Sequence, residues 1–337
     1  MLRARSLQHA LCISVLVGAF GCADAADTPE ADGGAEYTAP RVRYPEAGST
    51  REFRLSQTGL YRDIAHKELA PDLIEYEPAY KLWSDGADKR RWLRLPKGTA
   101  VDTSDMDHWS FPIGTMFFKE FSLEGRLLET RLIARLGPEP EDYFMGAFVW
   151  NEAESDAVFV PDGAPDVRGT DHDVPETKRC STCHRGERGR ILGYSAVQQA
   201  APEAKLSDPP NEPYVVPGDD LAREALGYLH ANCGNCHNES GTARTDTRLT
   251  LRLEVTQHSV EDTSVYRSTV GVKVDHWLNK GFELEIAPGD PEHSAVLARM
   301  QSRNKDDAMP PFASERIDPD GVALVRRWIE ALGERTQ

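Results

Sequence analysis

One short pattern occurs twice in this chain, as Cys180-Ser181-Thr182-Cys183-His184 and as Cys233-Gly234-Asn235-Cys236-His237. No other feature of the 337 residues limits the fold so tightly. On a helical turn, positions i, i+3 and i+4 project from one face. Two thiols and an imidazole at that spacing can therefore converge on a single planar group. Cys-x-x-Cys-His is the attachment spacing of c-type haem, in which the thiols form thioethers and the histidine sits over the iron. The expectation is two covalently attached haems, one on Cys180 and Cys183, the other on Cys233 and Cys236. His184 and His237 are the expected proximal iron ligands.

Three other chemistries use paired cysteines. A four-cysteine zinc site usually spaces its pairs more closely than Cys183 and Cys233, and it gives no reason for a histidine after each pair. A thioredoxin-like redox pair needs one such motif near a βαβ pattern, which is absent here. Disulfides within Cys-x-x-Cys would close short, strained loops and stabilise little.

The N-terminus reads as an export signal. Arg3 and Arg5 precede the apolar run Ala10 to Val17, and small residues lead into Cys22. The run is too short to span a bilayer. Ala19-Phe20-Gly21-Cys22 is similar to a bacterial lipobox, which makes residues 1–21 a lipoprotein signal peptide and Cys22 the acylated first residue of the mature chain. Residues 22–50, rich in Ala, Asp, Glu, Gly, Pro and Thr, read as a flexible tether. The protein is thus expected to be exported and periplasmic, with Cys22 as its membrane anchor.

Hydrophobic residues make up 39% and charged residues 28%, as in soluble globular chains. Against 39 Lys and Arg stand 55 Asp and Glu, a net charge of −16. Such an acid excess argues against nucleic acid as a partner, because phosphate contacts need clustered cations.

Residues 51–200 read as a β-rich domain that ends in the first motif. Leu128, Thr130, Leu132, Ala134 and Leu136 alternate with Glu129, Arg131, Ile133 and Arg135. Lys89 to Leu95, Thr115 to Leu123, Tyr143 to Trp150 and Ala157 to Val160 are further strand-like runs set off by turn residues. They predict an antiparallel sandwich or barrel-like sheet, with a short helix somewhere in Tyr61 to Leu73. Residues 201–218 read as a Pro-rich linker. Residues 219–335 change to helical periodicity: Leu221, Ala225, Leu226 and Leu229 share one face, as do Val322, Val325, Ile329 and Leu332. Asp318 is placed to cap the last helix, with Pro319 as its first residue.

The distal ligands are less constrained. Met309-Pro310-Pro311 offers a thioether on a proline-stiffened loop, making Met309 the expected distal ligand of the second haem. Met300, in helical register with Val296 and Leu297, reads as core. Between His184 and Cys233 the candidate for the first haem is His230, with His172, His66, His276 and Met145 as weaker alternatives. Too few residues separate His184 from the linker to enclose a haem alone, so the two haems are expected to share one unit.

These residues carry a resemblance. Leu221 to Leu332, with Pro288-Gly289-Asp290-Pro291, Met309-Pro310-Pro311 and Trp328-Ile329, resembles a class I cytochrome c domain. The larger pattern over roughly residues 60 to 333 is similar to a family of exported bacterial di-haem cytochromes. It includes Leu82-Trp83-Ser84-Asp85-Gly86, Leu95-Pro96-Lys97-Gly98, Phe111-Pro112-Ile113-Gly114-Thr115 and Glu129-Thr130-Arg131-Leu132. The resemblance implies an α+β protein, an N-terminal antiparallel β-rich domain followed by an all-α class I cytochrome c-like domain. It implies periplasmic electron transfer with a redox partner protein, and names no substrate. Two readings of a different class stay open: a peroxidase-type haem enzyme with one open iron, and a β-domain binding module built around Trp83, Asp85, Asp88 and Trp109.

Overall fold

A six-stranded antiparallel sheet, ordered as a simple meander, organises the chain in a computed structural model. Its strands are β3 (Ile74–Glu75), β4 (Asp88–Arg94), β5 (Met116–Leu123), β6 (Arg126–Arg135), β7 (Tyr143–Trp150) and β8 (Ala157–Phe159). The structure describes residues 37–46, 48–199, 204–210, 212–275, 280–311 and 314–334. The export signal, Cys22, most of the tether and His276 lie outside them.

Alternation along the strands sends side chains to two faces. Trp92, Phe118, Leu132, Phe148 and Trp150 pack on one face against Phe53, Leu55, Leu60 and Tyr61. The opposite face carries Leu93, Phe117 and Ile133, which pack with Trp109, Phe111, Ile191 and Tyr194. Both faces of one sheet are thus covered by irregular chain, rather than by a second large sheet as a sandwich would require. The helix expected in Tyr61 to Leu73 is instead a small hairpin of β1 (Tyr61–Asp63) and β2 (Glu68–Leu69). Lys67 takes a left-handed conformation there (φ 56°), which turns the chain back before a helix could start.

The C-terminal part is not the all-α cytochrome c-like domain that its end segments suggest; the chain is a β-rich fold with few, short helices. Beyond residue 218 the described α-helices are α2 (Asp220–Asn232), α3 (Ser264–Thr269), α4 (Ala295–Met300) and α5 (Pro319–Glu334). The first helical turn of the chain is α1 (Cys180–His184). Helical periodicity is present at the two ends of the C-terminal part and around Val296, Leu297 and Met300, and there helices α2, α5 and α4 form. Asp219 caps α2 by accepting from Ala222 N–H at 2.9 Å, and Asp318 accepts from Gly321 N–H at 3.0 Å. Between them the chain is mostly extended or turned, with isolated bridges such as Val270 to Ile286 and Lys273 to Leu284. Residues 37–337 pack as one compact unit. Among the described residues, no helix is long and apolar enough to cross a membrane.

Glu285 lies in this bridged stretch, largely buried. Burial pushes its carboxyl up to about 7, against the pull of Arg299. An acid whose pKa rises on folding favours the folded chain at low pH, and that advantage fades as pH climbs from the unfolded value through about 7. Glu285→Gln should therefore stabilise the protein at pH 8 by about 2 kcal/mol and have little effect at pH 4, as read from urea unfolding at both values.

Candidate functional site

The two motifs meet. The first is the helical turn α1, which follows a 3-10 turn at Thr177–Arg179. The second is a turn at the end of α2, closed by His237 N–H donating to Cys233 O at 2.9 Å. Thr242 Oγ1 donates to Thr182 O at 3.2 Å, and Cys236 Sγ lies 3.9 Å from the same carbonyl. Gly186 is needed here: a Cβ at that position would overlap the carbonyl oxygen of Asn235. The neighbouring Cys183 and Cys236 thiols perturb each other, Cys183 pushed up and Cys236 lowered to about 6, while burial pushes Cys233 up to about 12.

All four cysteines line one cavity of about 860 Å³, together with His184, His230 and Met309. The volume lies within the range of small-molecule and cofactor sites. Its walls come from the sheet, from the segment around the first motif and from the C-terminal part, with Lys119, His184 and Met309 as examples. No cluster of three His, Cys, Asp or Glu suited to a metal ion occurs among the described residues.

His184 points its Nδ1 at Arg190 O, 2.7 Å away. A carbonyl can only accept, so Nδ1 carries the proton and Nε2 keeps a free lone pair. Burial lowers this imidazole to about 4 and keeps it neutral, the form that binds a metal. His237 is buried and neutral too, lowered by burial to about 4, and its Nδ1 has no hydrogen-bond partner. Its ring does not line the large cavity, although both of its motif's cysteines do. A buried imidazole with an orphaned nitrogen and two adjacent thiols fits a group that is held from the same turn.

His230 meets the opposite condition. Its Nδ1 accepts from Leu253 N–H at 3.0 Å, which leaves the proton on Nε2 and no lone pair for iron. In this arrangement it is a structural histidine, buried at the end of α2. His172 also lines the cavity, with Nε2 2.8 Å from Glu129 Oε1. Met145 lines it as well, whereas His66 lies exposed beside Asp63 in the β1–β2 hairpin. Met300 both lines the cavity and joins the C-terminal core.

Trp83, Asp85, Asp88 and Trp109 do not form one site. Trp83 and Asp85 line the cavity, Asp88 is exposed, and Trp109 belongs to the core with Leu93, Phe117 and Ile133. Asp85 accepts from the backbone N–H groups of Glu315 and Arg316, which fastens the loop after Met309 to the sheet side.

Two buried charge networks had no signature in the sequence. Glu129 is fully buried, held bidentately by Arg131 and by His172. Burial alone would raise its carboxyl; Arg131 and His172 outweigh that and hold it at about 2. Glu187, just after the first motif, takes Arg252 Nη2 at 2.6 Å and His108 Nδ1 at 2.7 Å. Arg131 is two residues from Glu129, but His172, His108 and Arg252 lie far in sequence from the acids they meet, and only folding brings them together.

Comparison of the chain with family models, curated proteins and solved structures gives no match.

Proposed function

We propose that the protein is an exported di-haem c-type cytochrome that transfers electrons to or from a periplasmic redox partner, anchored through a lipid on Cys22. The observation that supports this reading is the convergence of all four motif cysteines and His184 on one cavity. Haem held there supplies a one-electron iron couple. The chain's own residues do the rest. Cys180, Cys183, Cys233 and Cys236 would hold the group as thioethers, each thiol adding across a vinyl with its hydrogen passing to carbon and no leaving group needed. His184 keeps Nε2 free by donating its Nδ1–H to the Arg190 carbonyl. The apolar and buried walls set the potential by excluding water. The strongly acidic composition suits a basic partner and disfavours nucleic acid.

A pyridine haemochrome assay on the exported protein should give two haems per chain; a value of one would remove a motif from the account. Met309 lines the cavity on the C-terminal side and is the distal ligand in this proposal. Met309→Ala should abolish the thioether–iron charge-transfer band and lower one midpoint potential while the other stays. Survival of the band would move the ligand to Met300.

A second reading is favoured by one observation, the Leu253 N–H on His230, which takes away the nearest candidate ligand for the first iron. An iron with an open position would suit peroxidase-type chemistry. Two low-spin spectra would support the carrier, and one high-spin iron that reacts with peroxide would support the enzyme.

A further inference from the structure

Three cations stand side by side on the sheet face that lines the cavity. Arg91 of β4 pairs in register with Lys119 of β5, and Lys119 pairs with Arg131 of β6. All three line the cavity. Like charges on directly opposed positions repel, and the repulsion grows where water is excluded. Arg131 has its counter-charge in Glu129. Among the described residues, neither Arg91 nor Lys119 forms an ion pair. Lys119 Nζ lies instead 4.7 Å from the centre of the Phe121 ring, which Arg131 also approaches at 4.6 Å. Two basic groups without an acid partner therefore stand in a row that spans about 10 Å across three strands.

We propose that Arg91, Lys119 and Arg131 form a seat for paired carboxylates, and that it takes the two propionates of the haem carried by Cys180 and Cys183. The inference rests on the di-haem reading. Two carboxylates match the two basic groups, Arg91 and Lys119, that the row leaves without an acid partner. Carboxylates held by guanidinium and ammonium groups in a dry site form short, strong hydrogen bonds. Arg131 lies close enough to Cys180 and Cys183 to interact electrostatically with both, which ties the row to the first motif. Burial and the neighbouring Arg91 and Arg131 drive the Lys119 ammonium well below its ordinary value, and an adjacent carboxylate would restore its charge.

The test uses the full-length, haem-loaded protein and its Lys119→Met, Lys119→Arg and Arg91→Met variants. Haem content is counted on every sample, the propionate bending modes are read by resonance Raman, and both midpoint potentials are titrated. With two haems retained, Lys119→Met and Arg91→Met should each shift the propionate mode of one haem and lower its potential. A lost cation favours the oxidised iron, which fixes that sign. Lys119→Arg should restore both readouts. Unchanged modes and potentials in the two Met variants, with both haems attached, would overturn the seat. The other source of an anion is solvent. Saturable binding of inorganic sulfate to wild type at constant ionic strength, lost in Lys119→Met without a propionate shift, would assign the row to a free oxyanion and overturn the proposal. A wild-type haem count below two overturns the reading underneath, and is distinguished by the count alone.

Discussion

Expressed apart, residues 37–205 and 206–337 should each fail to reproduce the absorption spectrum and midpoint potentials of the intact protein. The cut passes through no secondary-structure element, so each piece keeps its local hydrogen bonds. What it loses is the packing between them. Tyr80 sits so close on Gly227 of α2 that no Cβ would fit between them, and Val197 belongs to the core of the C-terminal part. Trp83 N–H donates to Asn232 Oδ1 at 2.6 Å, and Val255 N–H to Asp107 Oδ1 at 2.9 Å. The cavity itself would be opened along its length, and the apolar surface exposed would favour aggregation or re-association. Mixing the two pieces should recover part of the native spectrum. Two independent, native-like fragments would show that the shared cavity is not required by either haem.

Removing the carboxylate at Glu187 should be the most damaging single substitution outside the motifs. Glu187→Ala leaves Arg252 and His108 buried without their acid, and stranding a buried charge typically costs about 3–5 kcal/mol. Urea unfolding of the haem-loaded protein would record this as a lower midpoint at nearly constant slope. Glu187→Gln keeps the shape and some hydrogen bonding and should cost less. The double variant Glu187→Leu, Arg252→Leu removes both charges together and should recover much of the loss, since it leaves one fewer buried ion unpaired. If the single and double variants were equally unstable, the damage would lie in packing around the first motif and not in the stranded charge.

Some of this architecture was legible before any coordinates. Strand β6 was visible because Leu128, Thr130, Leu132 and Ala134 alternate with Glu129, Arg131 and Arg135, and β4, β5, β7 and β8 as short runs rich in aromatic or β-branched residues with turn residues at their ends. Helices α2 and α5 were visible because their apolar faces and caps are local properties. The C-terminal segment between them was misjudged by extension from its two ends. Residues 249–253 read Leu-Thr-Leu-Arg-Leu, a period of two that no helix uses, and they run extended. The cation row stayed hidden for another reason. Alternation says that Lys119 and Arg131 face away from one core, but not whether the other side meets water or a cavity. Only the pairing register, which is a relation between strands, sets them beside Arg91. Spacing singled out the four cysteines and His184, but not the contact that brings the two turns together. The tautomer of His230 could not, because it depends on Leu253 in a distant loop.

The contact of Gly186 with the Asn235 carbonyl also bears on the order in which such a protein can be made. In the di-haem reading proposed above, with the two cysteine turns pressed together and the loop after Met309 fastened by Asp85, a chain that closed first would leave its thiols little room to admit a bulky flat molecule. On that reading loading comes before closure. A chain exported faster than it is loaded should then accumulate as a closed, colourless product that later supply of the pigment does not rescue.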